Sequence, residues 1–229
     1  MVVAVAVVAV AAAFLIPAAL SVYASTTDAV SAHVIEKLNA SAQSYLAEND
    51  QIYWPYRSAA SGGTLWWFGF ESTASLNSPE GRRWLDLTRG PLGPYIAASG
   101  GMCEDPSFTR GGFALKPKYG HTHFAYGYNL LLSGLNRLTF SQSSRVPVFA
   151  TCAQVNTFQL PASPAHPMVE EFYYFDTTES TVQFRIGGKA MVGFSDGSAG
   201  YLPMMPGTLD RRLPTAKIGQ IDPSLMTPN

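Results

Sequence analysis

Residues 2–20 read VVAVAVVAVAAAFLIPAAL and contain no polar side chain. A helix rises about 1.5 Å per residue, so this run is long enough to cross a hydrocarbon core of roughly 30 Å. A secretory signal peptide has a basic start, a shorter apolar run and a small-residue cleavage site. Here no Lys or Arg occurs before Lys37. The run therefore favours a membrane-grade helix, and cleavage near Ala24 is the alternative.

The helical pattern continues beyond the apolar run. Val30, Val34 and Leu38 recur at helical spacing, and no Gly or Pro lies between residues 22 and 48. Such a stripe is typical of an amphipathic helix that packs against a partner. We therefore expect one long helix over residues 1–50, which Asn49 and Asp50 end.

The composition excludes several classes of protein. The 229 residues have a net charge of -1, which does not indicate a nucleic-acid partner. Only 14% of residues are charged, against about 25% in typical soluble proteins. Two cysteines are too few for a disulfide scaffold and lack the spacing of a zinc site. We predict one disulfide between Cys103 and Cys152, with two buried thiols as the alternative.

Short strands and turns are predicted after the helix. Residues 124–132 and 146–153 are rich in aromatic and β-branched residues and predict strands. Gly187-Gly188 separates two further strand segments, 181–186 and 189–194, as in a hairpin with a two-residue turn. Ser78-Pro79-Glu80 places a proline in the first turn of a helix and predicts a short helix over 77–87. The tail, residues 203–229, has five prolines and is expected to wrap a surface.

Five segments in order resemble one known family. MVVAVAVVAVAAAFLIPAALSVY (1–23) resembles the N-terminal helix of type IV pilins and pseudopilins. The segments NASAQSYLAENDQIYWPY (39–56), GPLGPYIAASGGMCEDPSF (90–108), FAYGYNLLL (124–132) and RIGGKAMVGFSDGSAGYL (185–202) are similar to a prepilin-type subfamily of planctomycete- and verrucomicrobia-like bacteria.

The chain departs from that family at two places. The family's C-terminal signature is a histidine, nine residues and Asp-Gly; Asp196 and Gly197 match it, whereas Ile186 replaces the histidine. The leader glycine and the Phe-Thr-Leu-Ile-Glu stretch of the family are absent, because Met1 aligns just after that glutamate.

The resemblance implies a fold and a function. The fold is α+β and pilin-like: a long N-terminal helix (1–50) packed on a small antiparallel β-sheet headgroup with long loops (51–229). The function is that of a structural subunit of a type IV pilus-like or type II secretion pseudopilus-like filament, with a methylated N-terminus. It implies no catalysis and no cofactor. The alternative is a membrane-tethered monomeric extracytoplasmic binding protein.

The implied partners are other copies of the chain, the inner membrane before assembly and the pilus or secretion assembly machinery. The implied location is an extracellular filament at the cell surface. The predicted filament-core interface consists of Val2, Val3, Val5, Val7, Val8, Ala9, Val10, Phe14, Leu15, Ile16, Pro17, Leu20, Val30, Val34 and Leu38. Within it Pro17 removes a helical hydrogen bond at a cost of about 3 kcal/mol and predicts a kink.

Two motifs suggest chemistry. Gly193-Phe194-Ser195-Asp196-Gly197 matches Gly-x-Ser-x-Gly, the nucleophile elbow of hydrolases, but glycines and prolines follow where that motif needs a helix. The context predicts a β-turn, and a secreted hydrolase using Ser195 is a third hypothesis. His121 and His123 share one face of a strand, a spacing that metal sites use, with Asp196 as a weak further candidate. No third ligand is defined by spacing, so we predict no metal.

Overall fold

The computed structural model of the protein describes residues 28–101, 105–109, 111–140 and 146–228. Within them residues 28–48 form helix α1. The helix ends as the sequence predicts, because Asp50 and Gln51 adopt positive φ and the Gln51 amide donates to the carbonyl of Leu46 at 3.0 Å.

Most of the body consists of short strands. A three-stranded meander follows α1, with β1 (Arg57–Ala60), β2 (Gly63–Trp66) and β3 (Gly69–Ser72) antiparallel in sequence order. Three short helices come next: α2 (Thr73–Leu76), α3 (Gly93–Ala98) and α4 (Pro106–Thr109).

The central sheet has five strands in the order β11-β10-β5-β4-β8. All its neighbours are antiparallel except β4 and β8, which run parallel. Its strands are β4 (Tyr126–Asn129), β5 (Pro147–Thr151), β8 (Tyr174–Phe175), β10 (Lys189–Phe194) and β11 (Ala199–Pro203). Strands β4 and β5 lie inside the two segments predicted as strands. The first prediction holds only in part, because Leu130–Leu132 at the end of that segment forms a 3-10 helix.

Two strand pairs complete the body. Strand β6 (Ala153–Asn156) pairs with β7 (Met168–Glu171), and β9 (Val182–Gln183) pairs with β12 (Ile218–Gly219), both antiparallel. The predicted hairpin of 181–186 with 189–194 is only partly correct. The strand in its first half is β9, which pairs with β12 and not with β10. The predicted turn is present, since Gly187 and Gly188 both have positive φ and Ile186 bridges Lys189 across them.

Aromatic rings fill the largest core. Trp54 and Trp67 are fully buried there, and the rings of Phe149 and Tyr128 lie between them. Large rings supply most of the buried apolar area in such a core. The aromatic clusters near residues 53–56 and 66–68 therefore pack the body.

The predicted fold is wrong in its proportions. In the part of the chain that the structure describes, α1 is the one helix of seven or more residues, and it accompanies a mostly β body with several sheets. A long helix on a small sheet is therefore corrected to an α+β body dominated by strands. The sequence underestimated the sheets because many of their strands are only two to four residues long, too short for a clear alternation of apolar residues.

Two local predictions are also wrong. Residues 77–87 form turns and isolated bridges instead of the predicted helix. The nearby helix α2 ends before them at Leu76, and Ser72 caps its start by accepting from the Ser75 amide. The proline-rich tail does more than wrap a surface, since Ile218, Ile221 and Met226 are fully buried. No helix among the described residues is long and apolar enough to cross a membrane, and the predicted span 2–20 lies outside them.

Candidate functional site

Helix α1 is built into the body through its apolar stripe. Val34, Ile35, Leu38, Ala42 and Leu46 are buried in the same core as the two tryptophans. Two side chains predicted to contact a neighbouring subunit, Val34 and Leu38, therefore pack inside their own chain. Of the other predicted interface residues, Val30 is half-buried and the rest lie outside the described residues.

A buried ion pair holds the N-terminal part of α1. The Ser31 hydroxyl lies 2.9 Å from both carboxylate oxygens of Asp105, and Arg185 donates to Asp105 at 2.6 Å. Tyr126 and Ser107 also donate to this carboxylate. Burial by itself raises the pKa of Asp105, but Arg185 and Ser107 outweigh it and hold the pKa at about 2. Asp105 is therefore ionised and fully hydrogen-bonded.

Two amides of α1 hold the turn between β10 and β11. The Asn39 side chain donates to the carbonyls of Gly197 (3.1 Å) and Ser198 (2.8 Å). Gln43, one turn further along α1, donates to the carbonyl of Ser195 at 3.2 Å. The Asp196-Gly197 signature is thus a turn docked on α1. Asn39 also begins a glycosylation sequon, but its side chain is buried against this turn.

The turn itself is a tight connection between two antiparallel strands. Gly197 has a φ of 90°, and the Asp196 carboxylate accepts from the amide and hydroxyl of Ser198. Ser195 is buried and precedes a strand, so the surroundings lack the strand-to-helix step of a nucleophile elbow. The prediction of a β-turn is confirmed.

The opposite face of α1 is exposed. Ala40, Ser44 and Ala47 lie on this face, and His33 and Glu36 are exposed further toward the start of the helix. Beside it α3 forms the other wall of a cavity of about 240 Å³. Its lining residues are Ala40, Ser41, Ser44, Tyr95, Ala98 and Ser99. At the end of the helix Tyr95 donates to Glu48 at 2.6 Å and fixes α3 to α1.

The two histidines have different partners. His121 donates from Nε2 to the Leu85 carbonyl at 3.0 Å and stacks on the Trp84 ring at 3.7 Å. His123 Nδ1 lies 2.9 Å from a carboxylate oxygen of Glu171. Asp196 lies in the β10–β11 turn, where it caps Ser198. Within the described ranges no group of three or more His, Cys, Asp or Glu side chains could hold a metal.

The predicted disulfide is corrected for its one described cysteine. Cys152 is a free thiol, fully buried beneath Gly127, where a Cβ would lie 2.4 Å from the sulfur. Cys103 lies outside the described residues. Burial raises the pKa of Cys152 well above its ordinary value, so the thiol stays protonated.

Sequence reasoning missed the polar residues that bind α1. Ser31, Asp105 and Arg185 are widely separated in the chain, and the hydrogen bond from Arg185 to Asp105 spans 80 residues. Asn39 and Gln43 could have been found from the sequence, because two amide side chains one helical turn apart stand close to the apolar stripe of α1.

Comparisons with family models, with curated proteins and with solved structures gave no match for the chain.

Proposed function

We propose that the protein is a structural subunit of an extracellular filament of the type IV pilus or pseudopilus kind, assembled through its N-terminal apolar segment. The support from the sequence is the uninterrupted apolar run 2–20, followed by α1. Small residues at Ala4, Ala6 and Ala9 would let identical segments approach closely. Repetition of one such contact between copies generates a fibre when the symmetry does not close.

The attachment of α1 to the body carries this proposal. A filament under load must pass force from its core to each subunit's body without pulling the helix out. Ser31, eleven residues after Leu20, is bound to Asp105, and Asp105 is bound to Arg185 beyond β9. The link from α1 to this ion pair is the hydrogen bond of the Ser31 hydroxyl, and a hydrogen bond to a charged group contributes about 1.5–3 kcal/mol. The helix is therefore fixed near the end that adjoins the apolar segment.

The different surroundings of the two faces of α1 also support a subunit role. One face of α1 belongs to the core, and Asn39 and Gln43 fix its orientation against the central sheet. The face with Ala40, Ser44 and Ala47 stays accessible to neighbours. In this proposal the subunit is anchored in the inner membrane before assembly, and an assembly machinery transfers it to the growing filament.

The test is the Ala9→Arg variant of the full chain, expressed in a cell that makes the filaments. A charge in the middle of the apolar run should abolish filaments in electron micrographs of sheared cell surfaces, because it has no partner in lipid or in a helix bundle. The matched control is Ala59→Arg on the exposed strand β1, which should leave filaments intact.

Two results would contradict the proposal. Normal filaments from Ala9→Arg would show that the apolar run is not the assembly element. Wild-type protein found only as single membrane-bound subunits would instead favour a tethered binding protein.

A further inference from the structure

A lysine, an asparagine and a glutamate lie together at the β6–β7 sheet. Lys116, Asn156 and Glu170 are 2%, 0% and 1% exposed. The segment 114–116 runs beside β7, since the Lys116 amide donates to Val169 and the Val169 amide donates to Ala114, both at 2.8 Å. Glu170 therefore lies on β7, between the segment that carries Lys116 on one side and strand β6, which carries Asn156, on the other.

One carboxylate oxygen serves both neighbours. Glu170 Oε2 accepts from Lys116 Nζ at 3.3 Å and from the Asn156 side-chain amide nitrogen at 2.5 Å. A carboxylate in this position can take a proton from the amine and deliver it to the amide nitrogen. Both nitrogens are thus within reach of the same proton carrier.

The Asn156 carbonyl is polarised by the backbone. Its Oδ1 accepts from the amides of Phe158 at 3.1 Å and Gln159 at 3.0 Å. Two backbone N–H groups on one oxygen are the arrangement that stabilises an oxyanion during addition to a carbonyl. The asparagine therefore combines an activated carbonyl with a leaving nitrogen that contacts Glu170.

We propose that Lys116 and Asn156 form an intramolecular amide cross-link, with Glu170 as the proton carrier. Glu170 removes a proton from the Lys116 ammonium, and the freed Nζ lone pair adds to Cγ of Asn156. The oxyanion forms on Oδ1 between the two backbone amides. Glu170 then delivers its proton to Nδ2, and the regenerated carboxylate takes the second proton from the amine nitrogen of the adduct. The carbonyl re-forms as the Cγ–Nδ2 bond breaks, and Glu170 ends the reaction protonated. One ammonia leaves, one C–N bond replaces another, and no oxidant is needed.

Neighbouring charges set the starting state. Glu170 Oε1 lies 3.3 Å from Lys118 Nζ, and Glu80 is a second carboxylate partner of Lys116. Burial raises the pKa of Glu170, but Lys118, Asn156 and Lys116 together lower it below its ordinary value. Glu170 is therefore ionised at neutral pH and starts as the proton acceptor.

Gln159 is the competing amide. Its Oε1 accepts from Lys116 Nζ at 3.2 Å and from the Asn156 amide nitrogen at 3.0 Å. Its carbonyl receives side-chain donors, whereas Asn156 has the two fixed backbone donors and the contact with Glu170. Asn156 is for this reason the assigned partner of the lysine.

The test is mass spectrometry of the purified full-length protein under denaturing conditions, followed by peptide mapping. Peptides containing Lys116 and Asn156 should be recovered as one linked species, lighter than their sum by one ammonia. Lys116→Arg and Glu170→Gln should leave the two peptides separate. Gln159→Ala, the matched control, should keep the link. Asn156→Asp should still form a link, which is then made with loss of one water instead of one ammonia.

Separate peptides of full mass from the wild-type protein would overturn the proposal. A link from Lys116 to Gln159 would overturn the assignment of Asn156. The outcome is independent of filament formation, because the cross-link lies within the body of a single subunit.

Discussion

Asn39 of α1 lies directly over Gly193 of β10, so closely that a Cβ at position 193 would sit 2.3 Å from Asn39 Oδ1. The helix can approach the sheet here because the strand carries no side chain at that point. The same asparagine donates to two carbonyls of the following turn. The glycine therefore sets the distance between α1 and the central sheet.

Gly193→Ala should destabilise the protein by about 1–3 kcal/mol, because the added methyl group displaces Asn39 from its two acceptors. Urea unfolding followed by tryptophan fluorescence measures the change. Gly200→Ala on β11 is the matched control, since its Cβ would meet only the edge of Phe194 at 3.2 Å. In an Asn39→Ala background the penalty at position 193 should shrink, and equal penalties in both backgrounds would refute the contact.

Acid should weaken the protein through Asp105. Its pKa is about 2 in the folded protein against an ordinary value of 3.8, so the unfolded chain binds the proton more readily. The stabilising contribution, about 2 kcal/mol, is present above pH 4 and is lost as pH falls toward 2. Asp105→Asn should be less stable at neutral pH and should lose less stability over that window. Parallel pH profiles for both proteins would disprove the assignment.

Arg83→Lys should destabilise the body near β3 by about 1–3 kcal/mol. Arg83 donates from Nε and Nη2 to the two oxygens of the buried Glu71 at 2.7 Å each, and lysine cannot reproduce this paired geometry. Chemical denaturation measures the loss. The neighbouring exposed Arg82→Lys is the control and should change stability by less than about 0.5 kcal/mol.

The thiol of Cys152 should be unreactive in the folded protein. The side chain is fully buried, so a reagent cannot reach the sulfur. Burial also raises the pKa of the thiol, so the reactive thiolate does not form. Alkylation followed by peptide mapping should label Cys152 only after unfolding in urea. Labelling of the native protein at the rate of a free peptide thiol would show that the core opens at this strand.

Features of the fold that depend on residues close together in the sequence were predictable, and features that depend on distant residues were not. The turns at Gly187-Gly188 and Asp196-Gly197 were found because their signals are local: glycine accepts positive φ, and aspartate caps its own turn. The end of α1 was found for the same reason. The stripe of α1 was recognised, but periodicity shows that a face is buried and not what buries it, so Val34 and Leu38 were assigned to the wrong partner.

The polar sites could not be predicted in the same way. Glu71, Asp105 and Glu170 are buried carboxylates whose cationic partners come from other parts of the chain. Nothing in the spacing of residues identifies which Arg or Lys approaches which carboxylate. Only the three-dimensional pairing separates these residues from the charged residues at the surface.

The last described residues complete a core that begins much earlier. The carbonyl of Met226 accepts from the Asn129 side chain at 2.8 Å, and its own side chain is buried with Phe194 and Ile221. A chain leaves the ribosome N-terminus first, so the apolar segment is made long before this contact can form. The contacts of the body with Met226 therefore form only after that residue has been synthesised. Until then the apolar side chains that Met226 covers, Phe194 and Ile221 among them, lack that part of their core.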